Sequence, residues 1–128
     1  MITLILIAIL GAVGSLVRFH FGGYVHLSVN SALGSEAHFP FGTLFVNVTG
    51  CFILGMLAGL SMYRDLAPFA LLVLGTGFCG ALTTFSTLAV DVQRFLRDRR
   101  YIHAVLDLGL SLFAGIGATW AGFVLTTP

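Results

Sequence analysis

The sequence predicts an all-α membrane protein of four transmembrane helices, the third of them broken, and three observations lead to that reading. Hydrophobic residues fill 58% of the 128 positions and charged residues 9%, a balance too apolar for an ordinary soluble domain. The apolar residues gather in four stretches, each near or above the roughly 20 residues that cross a bilayer. The third stretch is interrupted by glycines and hydroxyls, Thr76-Gly77-Phe78-Cys79-Gly80-Ala81-Leu82-Thr83-Thr84-Phe85-Ser86-Thr87, which a simple anchor does not need. Residues 1–128 therefore read as a single four-helix transmembrane domain with no room for a soluble module. A net charge of +1 provides no basic field that could hold nucleic acid.

The first span is expected over Ile2 to Val25. It has no basic segment ahead of its apolar run and no small-residue cleavage pattern, so it reads as a retained helix rather than a secretion signal. Arg18 lies roughly 24 Å along it. Its guanidinium either snorkels to headgroups, orients the helix through a salt bridge, or draws an anion into a vestibule. A polar loop from His26 to Pro40 follows, with Asn30, Ser31, Gly34, Ser35 and Glu36. Pro40 marks the start of the second span, Phe41 to Met62. Asn47 is the sole amide in that span; it serves either as glue to another helix or as a neutral donor to an anion.

After the tight turn Tyr63-Arg64-Asp65 comes the third span, Leu66 to Val92. Lipid cannot hydrogen-bond a backbone loosened by Gly77 and Gly80, so the polar groups here must face protein, an ion or a water-filled path. A half-helix N-terminus near Thr83, with hydroxyls at Thr84, Ser86 and Thr87 just beyond it, suits a small anion. Phe85 lies among these hydroxyls, where the positive edge of its ring could also contact an anion. The short basic loop Arg94 to Arg100 leads to the fourth span, Tyr101 to Thr126. There Asp107 and Ser111 share a face, being four residues apart. Asp107 is expected to be protonated or paired with Arg18 or His103, and to face the bundle interior or a water-filled cavity.

Other features are structural. Gly11 with Gly14, Gly55 with Gly59, and Gly115 with Gly117 and Gly122 let helix backbones approach closely. Cys51 and Cys79 read as small buried hydrophobes, and His20, His26, His38 and His103 have no metal-ligand spacing. No nucleophile motif, phosphate loop or catalytic carboxylate pair is present, so an enzyme is not expected. Four short helices can hardly enclose a pore alone, so transport favours a dimer with conduits between subunits.

The motifs Gly14-Ser15-Leu16-Val17-Arg18-Phe19, Gly42-Thr43-Leu44 with Val46-Asn47, and Thr76-Gly77-Phe78-Cys79-Gly80 with Leu82-Thr83-Thr84-Phe85-Ser86-Thr87 resemble the Fluc/CrcB family of small fluoride channels over nearly the whole chain. The resemblance implies passive export of cytoplasmic fluoride across a bacterial or archaeal plasma membrane, relieving fluoride toxicity. It also implies an antiparallel, dual-topology dimer, homodimeric or paired with a relative, with two pores along the subunit interface. A structural sodium ion at the dimer centre would be held by the carbonyls of Gly80 and Thr83. Asn47, Phe85 and Ser111 would line the pores together with the hydroxyls of Thr84, Ser86 and Thr87, and Arg18 would serve a vestibule or an orienting role.

Three departures from the family pattern stand out. Leu88 occupies the place of a second phenylalanine, Ala81 that of a second glycine, and Arg94, Arg97, Arg99 and Arg100 oppose a loop holding only Arg64. The last is more positive-inside bias than dual insertion calls for, and favours a cytoplasmic basic loop with both termini outside. Two rival readings are a small multidrug-resistance-type exporter, which needs an acid in the first helix where this chain has Arg18, and a non-conducting membrane assembly subunit.

Overall fold

A computed structural model of the chain describes residues 1–33 and 39–128; the expected loop residues Gly34, Ser35, Glu36 and His38 lie outside them. The described residues form helices α1 (Ile2–Leu33), α2 (Phe41–Tyr63), α3 (Pro68–Leu72), a π-helical stretch Val73–Cys79, α4 (Gly80–Leu82), α5 (Phe85–Arg97) and α6 (Tyr101–Thr126). Four helical segments are long and apolar enough to span a membrane, the third running Pro68–Arg97 through the break. The four-span reading holds, and the chain is a multi-pass membrane protein.

The first helix is longer than its hydropathy suggested. It runs 32 residues, because His26 to Leu33 contains neither glycine nor proline and its polar side chains bond within the helix. Asn30 Nδ2 lies 3.2 Å from His26 Nε2, and Ser31 Oγ donates to Ser28 O. The expected end at Val25 is corrected accordingly. Arg18 now stands near the middle of a helix roughly 48 Å long, so end-snorkelling does not describe it.

Glycines set the helix contacts. A Cβ at Gly14 would collide with the Phe78 carbonyl, and one at Gly77 would sit 3.0 Å from the Ile7 carbonyl, so α1 lies directly on the backbone of the π-helical stretch. At the α2–α6 seam a Cβ at Gly55 would strike the Thr119 carbonyl, and one at Gly122 the Phe52 carbonyl. Cys51 meets Gly115 as Gly55 meets Thr119, so α2 and α6 run parallel, as the second and fourth of four alternating spans must. The tightly buried apolar side chains are few, Val46, Val73, Leu82, Leu88 and Phe95 among them, while Leu4, Ile5, Phe113 and Trp120 lie on the outside. In lipid such exposure carries no penalty, and close van der Waals packing does the work of a hydrophobic core.

Replacing Gly55 or Gly122 with Ala is expected to lower the unfolding midpoint in mixed detergent micelles, by the about 1–3 kcal/mol typical of overpacking. Gly109→Ala, whose Cβ would meet nothing within 4 Å, should keep the wild-type midpoint. Equal midpoints for all three would show that the seam is not the tight contact described.

Candidate functional site

The centre of the molecule is the break between α4 and α5. Thr83 (ψ 153°) and Thr84 (φ −149°, ψ 120°) are extended, whereas Gly80 keeps helical angles (φ −63°, ψ −32°). The sequence pointed to a backbone loosened by Gly77 and Gly80; in the structure Gly80 stays helical and Gly77 admits α1, while the two threonines carry the extended turn. β-Branched residues favour such angles.

Leaving the helix strips backbone groups of their partners. Thr84 N–H turns to Asn47 Oδ1 at 2.7 Å, and Asn47 Nδ2 donates to Thr84 O at 3.1 Å. The amide of Asn47 thus pairs with both polar groups of one residue, as a neighbouring strand would. One Nδ2 hydrogen remains, in a cleft of about 560 Å³ that Asn47 lines together with Gly80, Thr83, Phe85, Leu88 and Ser111. Thr84 is also the N-cap of α5: its Oγ1 accepts from Thr87 N–H at 3.3 Å and lies 3.1 Å from both Ser86 Oγ and Thr87 Oγ1. Three hydroxyls therefore crowd the positive end of a 13-residue helix, an arrangement suited to an anion.

Arg18 joins from α1. Its Nη1 lies 3.5 Å from Thr83 O, so the guanidinium addresses the break rather than the headgroups. A second concavity of about 370 Å³ is lined by Arg18, Gly22, Thr43, Thr84 and Thr87, so Thr84 borders both hollows. The amides that would bond the carbonyls of Gly80 and Thr83 in a continuous helix, Thr84 N–H and Thr87 N–H, are taken by Asn47 and by Thr84 Oγ1. Two carbonyls loosened within four residues suit a hard monovalent cation, although Arg18 already offers a positive charge to one of them.

The expected residues divide in this way. Asn47, Gly80, Thr83, Thr84, Phe85 and Ser111 border one cleft, Arg18 and Thr87 the other, and Ser86 is exposed beside Thr84. Phe85 and Leu88 border the same cleft but differ in depth: Phe85 is 76% exposed and Leu88 only 7%. Asp107 pairs with neither candidate; Arg18 faces Thr83, and His103 Nε2 lies 3.2 Å from Arg100 Nη2. Sequence reading missed Thr43 and Asp91. Thr43 Oγ1 donates to Asp91 Oδ2 at 3.2 Å, and Arg94 Nη1 is 3.8 Å from Asp91 Oδ1. The available signal was Asp91 itself, a carboxylate within a span, and Thr43 one helical turn before Asn47.

A family profile described as CrcB-like protein, Camphor Resistance (CrcB), matches residues 5–123. The chain is 45% identical over 125 residues to "Fluoride-specific ion channel FluC 2" of Rhodococcus jostii (strain RHA1), covering 98% of this chain and 99% of that one. It is 37% identical over 125 residues to "Fluoride-specific ion channel FluC" of Geobacter metallireducens, covering 97% and 96%. The protein of the same name from Acidobacterium capsulatum is 41% identical over 120 residues, 93% of this chain and 91% of that one.

Asn47→Leu is expected to destabilise the protein by about 2–4 kcal/mol, because both polar groups of Thr84 lose their partner and each orphan costs about 1–3 kcal/mol. Amide exchange at Thr84, followed by mass spectrometry, should accelerate with it. Unchanged exchange would show that something other than Asn47 closes the break.

Proposed function

The chain belongs to the CrcB family, and on that premise we propose that it is a fluoride-selective channel through which cytoplasmic fluoride leaves the cell passively. The observation that carries this reading is the break clamped by Asn47, where a free amide hydrogen, a helix N-terminus and three hydroxyls gather at two membrane-embedded clefts. A narrow path with a few fixed donors replaces the hydration of a small anion better than that of a large one. Asn47 and Ser111 contribute donors, and Phe85 an aromatic edge. Thr84, Ser86 and Thr87 hold the hydroxyl end of α5, and Arg18 supplies positive charge at the approach. The protein acts as a channel, not as an enzyme.

Both clefts open at the surface of a single chain, and this supports a dimer in which a second subunit closes them. The dimer is antiparallel in this reading. Arg94, Arg97, Arg99 and Arg100 against Arg64 favour one orientation, which makes a paired relative an alternative to a second copy of this chain. A sodium ion between the subunits is part of the proposal. Gly80 and Thr83 would hold it through their carbonyls, where it would tie the breaks of the two chains together, with Arg18 drawn back from Thr83.

Purified protein in liposomes should release fluoride about tenfold or more faster than chloride; equal rates would overturn the channel reading. Phe85→Ile should cut fluoride efflux by about tenfold, whereas Leu88→Phe should preserve it. Full efflux through Phe85→Ile would remove that ring from the path. Efflux should also proceed without a sodium gradient, while removal of sodium should increase dimer dissociation measured by subunit exchange. Efflux that follows an imposed sodium gradient would replace the channel with a coupled transporter.

A further inference from the structure

Asp107 is fully buried, at 0% exposure. Neither of its carboxyl oxygens has a hydrogen-bond partner among the described residues, and the Ser111 hydroxyl one turn along is buried and equally unpartnered. These orphans sit together on the inner face of α6.

The helices packed against α6 are α2 and α5. On α2, Cys51 faces Gly115 and Gly55 faces Thr119; continued back along the two parallel helices, that register sets Asn47 level with Ser111 and Thr43 level with Asp107. The titratable groups of α2 are Cys51 and Tyr63, neither of them cationic. On α5, Phe95 lies 5.7 Å from the His103 ring, and continuing that antiparallel pairing brings Asp91 level with Asp107. Asp91 already receives the Thr43 hydroxyl and faces Arg94. Arg97 lies beyond Arg94 at the end of α5 and is exposed. On α6 itself His103 faces Arg100. Among the described residues no cation is paired with Asp107, and the charged group level with it is another carboxylate.

An ionised carboxyl in that place would be uncompensated and repelled by Asp91. The neutral acid has an O–H to donate, and Ser111, one turn away, borders the larger cleft beside Asn47 and Phe85. We propose that Asp107 is carried as a neutral carboxylic acid, whose proton makes the Asp107–Ser111 face a hydrogen-bond donor to the anion path and whose loss makes that face an anion barrier. The inference rests on the channel reading above.

Two measurements on reconstituted protein test it, one of them independent of conduction. Infrared spectra near neutral pH should show a protonated-carboxyl stretch that is absent from Asp107→Asn, with Asp107→Ser as a second removal should the amide variant fold poorly. Fluoride efflux, corrected for protein-free liposomes, should fall about tenfold in the native protein between about pH 7 and about pH 9, as the carboxyl loses its proton. In Asp107→Asn it should fall less than about twofold, because the neutral isostere has no proton to lose. A missing stretch in the native protein, or the same pH profile in both proteins, overturns the proposal. Absence of fluoride efflux at every pH overturns the channel reading instead, and the infrared result still decides whether Asp107 holds its proton.

Discussion

The structure depends on how an interrupted backbone is satisfied inside a membrane. A helix can cross lipid because each amide finds a carbonyl four residues back, and wherever that ladder stops the freed groups must be met by protein. At Thr83 and Thr84 it stops in the middle of the third span. Asn47 answers for both groups of Thr84, the Thr84 hydroxyl answers for Thr87 N–H, and Arg18 approaches Thr83 O. Three spans are therefore tied to one point, and the clefts on either side of it are where hydrogen-bonding capacity is left over for something else.

That arrangement needs the helices to be close, and glycine provides the closeness. Asn47 reaches Thr84 only because α2 and the third span can approach; a Cβ at Gly50 would run into the side chain of Thr83. Along α2 the next contacts belong to α6, where Gly55 and Gly122 accept the partner backbone directly. Small side chains thus serve two purposes along one helix. Near the break they admit a polar clamp, and farther along they replace a hydrophobic core that lipid gives no force to assemble.

Charge is distributed with the same economy. Arg94 and Arg97 stand in the last turn of α5, where they complement the helix dipole while its opposite end gathers the hydroxyls of Thr84, Ser86 and Thr87. Arg94 also approaches Asp91, and Arg100 stacks over Phe95 at 5.6 Å, so the basic loop is braced against the bundle. Asp107, buried as it is, has no such partner among the described residues, and its isolation follows from the register of α6 against α2 and α5 rather than from any neighbour in the sequence.

Much of this was legible in the amino-acid order. Four apolar stretches dictate four spans, because length and hydropathy alone decide what a bilayer accepts, and the hydroxyl-rich run from Thr83 to Thr87 marked the break to within a residue. Other features depended on residues far apart in the chain. Hydropathy ended α1 at Val25 because it measures transfer to lipid, not helical hydrogen bonding, which continues to Leu33. Asn47 was visible as a lone amide but ambiguous, since its role depends on Thr84, 37 residues away. For Arg18 the sequence left snorkelling, an orienting salt bridge and a vestibule open, and only the packed helices set it opposite Thr83. The solitude of Asp107 was likewise undecided, because a buried charge is defined by what surrounds it, and only the packed helices determine whether a partner is within reach.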